Sequence, residues 1–182
     1  GNDTYYVDTS ADVVFEYAGE GTDWIYNNTS TFYSIYSNFE VENLWLYGSS
    51  TSTTYDGYGN ENNNALHGNT NSTALIANWF YGYGGNDSIY GYGGNDSLYG
   101  ATGNDYLYGQ NNDDYLDGGT ENDYIDGGSG NDTLQGSSGD DSMYGGIGDD
   151  VYYADSSLDY MYENASEGTD TVNSYLTFTL AD

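Results

Sequence analysis

From Gly82 to Tyr153 the chain places one large apolar residue at every ninth position, at Ile89, Leu98, Leu107, Leu116, Ile125, Leu134, Met143 and Tyr152. Around each of these the pattern alternates, as in Thr133-Leu134-Gln135, which turns a single side chain inward from a short strand. Between them lie polar, glycine-rich stretches such as Gly127-Gly128-Ser129-Gly130-Asn131-Asp132, where glycine supplies turns with φ > 0 and lets backbones approach closely. A strand this short cannot bury its apolar residue alone. The copies must therefore coil, with successive strands on opposite walls, the apolar residues meeting inside, and two copies making one full turn. A short fixed period of this kind is the sequence mark of a solenoid, so the expected fold is all-β.

Eight copies begin at Gly82, Gly91, Gly100, Gly109, Gly118, Gly127, Gly136 and Gly145, without insertion or deletion. The sixth position is always aspartate and the fifth is always Asn or Asp. Coiling stacks copy n on copy n+2 at about the inter-strand distance of 4.8 Å. Each stacked pair then brings together glycine-rich backbone carbonyls and two carboxylates, with no Lys or Arg anywhere to neutralise them. Oxygen-only donors in irregular turns suit a hard, adaptable cation, and Ca²⁺ accepts them more readily than Mg²⁺ with its strict octahedron. Several calcium ions are the expected partners.

The stretch resembles the RTX, or haemolysin-type calcium-binding, nonapeptide family, whose pattern is Gly-Gly-x-Gly-x-Asp-x-apolar-x. The resemblance implies a parallel β-roll, and it implies that Asp87, Asp96, Asp105, Asp114, Asp123, Asp132, Asp141 and Asp150 hold Ca²⁺ together with turn carbonyls. Two copies depart from the pattern at the fourth position, where Asn112 and Glu121 stand in place of glycine. Asparagine tolerates the left-handed region and glutamate does so poorly, so these two turns are expected to be the weaker sites.

Thirty acidic side chains against no Lys or Arg give a net charge of −30 over 182 residues. That charge repels nucleic acid and excludes it as a partner. High charge with few aliphatic residues predicts disorder until counter-ions arrive, so metal binding and folding should be one event. There is no Cys, hence no disulfide to staple the fold and no thiol chemistry. No signal peptide or transmembrane run is visible and the first residue is not Met. Weak turn sites need the millimolar Ca²⁺ found outside cells, so the expected location is extracellular or on a cell surface.

In chain order, residues 1–47 read as β-rich coils with longer loops, as in Asp12-Val13-Val14-Phe15-Glu16 and Glu42-Asn43-Leu44-Trp45-Leu46-Tyr47. Residues 48–81 read as degraded nonapeptide coils, poor in calcium because Asn64 and Thr73 fill the sixth positions. The run Ala77-Asn78-Trp79-Phe80-Tyr81 is expected to break the phase and bulge outward as an aromatic knob. Residues 82–153 form the calcium-binding roll, and 154–182 restart a longer repeat. That longer repeat shows in Gly1-Asn2-Asp3-Thr4-Tyr5-Tyr6-Val7-Asp8, which parallels Gly148-Asp149-Asp150-Val151-Tyr152-Tyr153-Ala154-Asp155 at an offset of 147. Glu20-Gly21-Thr22-Asp23 recurs as Glu167-Gly168-Thr169-Asp170 at the same offset, and Asp3 joins the candidate ligands as the counterpart of Asp150. The chain thus begins mid-repeat, as a window cut from a longer repetitive protein would.

Catalysis is not expected. The single histidine, His67, falls at an outward ninth position, and carboxylates that repeat identically suit counter-ion binding rather than an acid and a base with separated pKa values. Tyr90 and Tyr108, and likewise Tyr106 and Tyr124, should stack in outward ladders, either as cross-strand packing or as a surface for lateral association or for sugar rings. Two functions remain open. One is a structural segment of a secreted filament, adhesin or surface layer, associating end to end and laterally. The other is a non-catalytic module that assists export and folding of a secreted enzyme or toxin.

Overall fold

The computed structural model describes residues 1–8, 14, 21–27, 33–34, 42–47, 54–70 and 76–174. Among these the strands are β1 (Thr4–Val7), β2 (Trp24–Asn27), β3 (Tyr33–Ser34), β4 (Asn43–Leu46), β5 (Thr54–Tyr58), β6 (Ala65–His67), β7 (Ala77–Gly84), β8 (Ser88–Gly93), β9 (Ser97–Thr102), β10 (Tyr106–Asn111), β11 (Tyr115–Thr120), β12 (Tyr124–Ser129), β13 (Thr133–Ser138), β14 (Ser142–Ile147), β15 (Val151–Ala154), β16 (Tyr160–Tyr162) and β17 (Thr171–Ser174). They wind into two facing parallel sheets. One runs β1-β2-β4-β6-β8-β10-β12-β14-β16 and the other β17-β15-β13-β11-β9-β7-β5-β3, so that in the nonapeptide region successive strands alternate between walls.

The expected parallel β-solenoid is the fold observed. Copy n lies on copy n+2, as in Leu107 opposite Ile89 on one side and Ile125 on the other. Each eighth-position side chain from Ile89 to Met143 is fully buried, and the inner row continues beyond the nonapeptides through Leu66, Leu44 and Ile25 on one wall and Phe80 on the other. The strands are longer than the three residues anticipated. Each of β8 to β14 spans six residues, running from the seventh position into the third position of the next copy, and the corner is confined to the fourth, fifth and sixth positions that follow.

One expectation is corrected. Residues 77–81 do not bulge: they are the first part of β7, paired with β5 and β9, with Phe80 wholly buried opposite Leu98. Counting back nine from Gly82 explains why, since Asn78 takes the sixth position, Phe80 the eighth and Tyr81 the ninth. The phase is lost before residue 77, and Thr73, read as a degraded sixth position, lies outside the described residues. Gly57 lies opposite Phe80, where a Cβ would strike the ring. Of the run Asp12–Glu16 only Val14 is described, half-buried against the core.

The outer faces carry aromatic rings in files. On the nine-stranded wall one ring per strand runs Tyr6, Tyr26, Trp45, His67, Tyr90, Tyr108, Tyr124, Tyr144 and Tyr162, with neighbouring centroids 4.7 to 5.7 Å apart. The expected contacts of Tyr90 with Tyr108 and of Tyr106 with Tyr124 are present at 5.0 and 5.9 Å. A shorter file, Tyr58, Tyr81, Tyr99 and Tyr115, lies on the other wall.

Candidate metal centre

Each corner of the roll is set by backbone conformation. The fourth position has positive φ at Gly85, Gly94, Gly103, Gly130 and Gly148, and equally at Asn112 (φ 76°) and Glu121 (φ 73°). The second position is left-handed too, and there five of eight residues are not glycine: Tyr83, Tyr92, Ala101, Gln110 and Ser137. This second constraint was not readable from composition, because the residues that meet it share no side-chain property.

The sixth-position aspartates form two buried files, one per wall, and none of the eight is more than 3% exposed. One carboxylate oxygen of each is engaged. Asp87 N–H donates to Asp105 Oδ1 at 2.7 Å, Asp105 N–H to Asp123 at 2.8 Å and Asp123 N–H to Asp141 at 2.9 Å. On the other wall Asp96, Asp114 and Asp132 donate in turn to Asp114, Asp132 and Asp150 at 2.7–2.8 Å. The fifth-position residues bond in the opposite sense: Asn104 N–H donates back to Asn86 Oδ1 at 3.0 Å and Asn122 N–H to Asn104 Oδ1 at 3.2 Å. Adjacent positions therefore stitch each coil to the one before and the one after, which gives the fifth position its restriction to Asn and Asp.

The second oxygen is the unusual one. Oδ2 of all eight aspartates is buried and meets no hydrogen-bond donor. It lies over the first-position glycine of its own copy, in the space a Cβ would fill. A Cβ on Gly100 would meet Asp105 Oδ2 and, 2.6 Å away, the carbonyl oxygen of Gly118 one coil on. Carboxylate and carbonyl oxygens thus converge beside Gly82, Gly91, Gly100 and Gly109.

Burying an anion without a partner is costly, and the carboxyl groups respond by holding their protons. Desolvation pushes Asp114 up to about 9, Asp87 and Asp123 to about 8, Asp96 and Asp132 to about 7, and Asp105 and Asp141 to about 6, while Asp150 is also raised. The donor set fits a divalent, oxygen-seeking cation: anionic and carbonyl oxygens, uncompensated by any base, at corners repeated along the roll.

Several members of these files lie outside the eight nonapeptides. Asn64 is buried as expected of a hydrogen-bonding substitute, accepting Asn60 N–H at 2.7 Å and donating its own N–H to Asp87 Oδ1 at 2.7 Å. Asn78 donates both its backbone N–H and its side-chain amide to Asp96 Oδ1 at 2.7 Å, while its own Oδ1 accepts no hydrogen bond. Asp159 and Asp170 extend the files at the far end, accepting from Asp141 at 3.2 Å and Asp150 at 3.0 Å. At the near end Asp3 is exposed and contributes its N–H to Asp23 Oδ1 at 2.6 Å, whereas Asp23 itself is buried with Oδ2 unpartnered. Asp159 keeps the regular 18-residue step from Asp141, whereas Asp23 and Asp170 lie 20 residues from Asp3 and Asp150, a spacing that a strict nonapeptide count passes over. His67 stands in the outer aromatic file, 3.0 Å from the Tyr92 hydroxyl, and burial lowers it to about 4.

The family profile described as RTX calcium-binding nonapeptide repeat (4 copies) matches residues 77–107, 90–125 and 126–161. No curated protein and no solved structure is significantly similar to the chain.

Proposed function

Residues 77–161 belong to the RTX calcium-binding nonapeptide repeat family, whose repeats bind calcium ions, and on that footing we propose that this chain is a calcium-folded structural segment of an extracellular filament, adhesin or surface layer. The observation that carries the proposal is the set of eight buried, unpartnered Asp Oδ2 atoms in a chain without Lys or Arg. In this reading Asp87, Asp96, Asp105, Asp114, Asp123, Asp132, Asp141 and Asp150 hold the ions with corner carbonyls, and Asp3 marks the start of the same file. Calcium supplies the positive charge that the sequence withholds, and the roll forms as it binds.

Assembly is the second part of the proposal. A solenoid grows along its axis by adding coils, and the outer aromatic files offer flat surface for lateral contact or for sugar rings. Exposed aromatic residues include Trp79, Tyr83 and Tyr106, so the surface is not merely packed within one chain. Among the described residues no helix is long and apolar enough to cross a membrane. An export and folding module of a secreted enzyme or toxin is the alternative, and it shares the calcium chemistry but needs no polymer.

Circular dichroism tests the calcium reading. β-Structure should be lost in excess chelator near neutral pH and recovered by Ca²⁺ far better than by Mg²⁺; an unchanged spectrum without metal would sink it. Electron microscopy separates the two assembly readings, since calcium-dependent fibres of roll-like width support the filament and compact monomers at every calcium level support the module.

A further inference from the structure

Resting on the calcium reading above, we propose that Asp150, the last of the eight nonapeptide aspartates, shares its ion with Glu163 and Asp170 in a three-carboxylate site that differs in composition from the other corners. One carboxylate oxygen from each lies within 4.8 Å of the others. Ca²⁺ binds oxygen at about 2.3–2.6 Å, so two ligands on one ion stand at most ~5 Å apart, and the three carboxylates are close enough to share an ion.

The topology builds the site at one corner. Asp150 precedes β15 and Asp170 precedes β17, which pairs with it, so the two aspartates are stacked neighbours. Glu163 follows β16, and because Tyr162 lies opposite Tyr144 it occupies the place above Gly145 where the repeat has a first-position glycine. A residue bearing a carboxylate side chain therefore stands where the repeat has glycine. A Cβ on Gly145 would touch Asp150 Oδ2, the Tyr152 hydroxyl and Glu163 Oε1 together, so three oxygen-bearing side chains converge on one space.

A second observation shows that the cluster is aimed at a ligand. Asp150 is 1% exposed, and its Oδ2 is buried without a partner. Glu163 Oε1 accepts the Tyr152 hydroxyl, which fixes the side chain, while Oε2 is buried and unpartnered. Tyr152 is the only tyrosine among the eight eighth-position residues, the others being Ile, Leu or Met, and its hydroxyl orients the one glutamate at this corner. The arrangement is written twice in the sequence, since Asp3, Glu16 and Asp23 repeat the same residues at an offset of 147; Glu16 lies outside the described residues. Three anionic ligands should hold calcium more tightly than the corners between nonapeptides, where glycine takes the place of Glu163.

Calcium titration of the full chain by calorimetry and equilibrium dialysis, with Glu163→Gln, Asp170→Asn and the double variant beside the unchanged protein, tests the site. Gln keeps an oxygen for the Tyr152 hydroxyl, and circular dichroism at saturating calcium checks that each variant still folds. Each single variant should bind one ion fewer and lose the tightest class, at least tenfold in affinity, and the double variant should lose no further ion. Full ion count and unchanged tight binding in both single variants overturn this site while leaving the nonapeptide corners intact. Absence of calcium binding in the unchanged protein overturns both readings.

Discussion

Asp105 and Asp123 are successive rungs of one buried file: the N–H of the first donates to Oδ1 of the second at 2.8 Å, while Asp105 Oδ1 receives the N–H of Asp87 at 2.7 Å. One side chain thus serves its neighbours structurally through Oδ1 and keeps Oδ2 free for an ion. The two roles can be separated. Asp105→Ala should strand the Asp87 N–H in the interior, at a cost of about 1–3 kcal/mol, and weaken calcium binding. Asp105→Asn should keep the acceptor, as Asn64 does, and lose chiefly the ion. Urea unfolding at saturating calcium and calcium titration on both variants read the two effects, and an Asp105→Asn protein with its full complement of ions would remove Asp105 from the ligands.

Gly118→Ala probes the same corner from the other side. The added Cβ would press on Asp123 Cβ and Cγ, each 2.8 Å away, in a region with no spare room. Overpacking of this kind typically costs about 1–3 kcal/mol, and displacement of the carboxylate should lower calcium affinity as well. Unaltered stability and affinity would show that the corner relaxes freely.

Glu121 is held at φ 73°, a conformation glutamate adopts with strain, but its carboxylate offsets part of that by accepting Gly103 N–H at 2.9 Å and Thr120 Oγ1–H at 2.6 Å. Because both bonds are at the surface, Glu121→Gly should give a modest net gain in the urea midpoint with calcium present. A lower midpoint would mean that the two surface bonds outweigh the backbone strain.

Without metal the fold should depend on pH in an unusual sense. The buried aspartates carry folded-state values raised to about 6 through about 9, whereas an unfolded carboxyl titrates near the ordinary value of 3.8. Folding then takes up protons, so this contribution is complete below the unfolded value and disappears as pH rises through the folded ones. Calcium-free protein should show more β-structure at about pH 5 than at about pH 9, and calcium should restore the alkaline sample; greater order with rising pH in the absence of metal would contradict the assignment.

The regular part of this architecture was legible because its physics is local. A nine-residue period with an apolar residue in phase dictates coiling, and Leu107, Leu116 and Ile125 lie where that period puts them. Irregular coils were harder. Residues 77–81 were misread because five aromatic and small residues in a row look like a break in pattern, although Phe80 keeps the eighth-position register with Leu98. Glu163 escaped notice for a different reason: it lies a regular 18 residues beyond Gly145, opposite that glycine, but the glycine pattern by which the copies were counted stops at Tyr153. The left-handed second position escaped notice because backbone stacking enforces it on Tyr83 and Gln110 alike.

Because both sheets are parallel and coiled, every strand runs across the solenoid and every ladder bond runs along it. Tension applied end to end would therefore fall on one coil at a time, as on a spring unwound from its last turn. Each 18-residue coil that let go would release about 60 Å of chain in place of a 4.8 Å rise, so stretching should proceed in equal steps rather than one rupture. If an ion sits at each corner, the force of every step should rise with calcium concentration, and the roll would act as an extensible tether whose stiffness the surrounding medium sets.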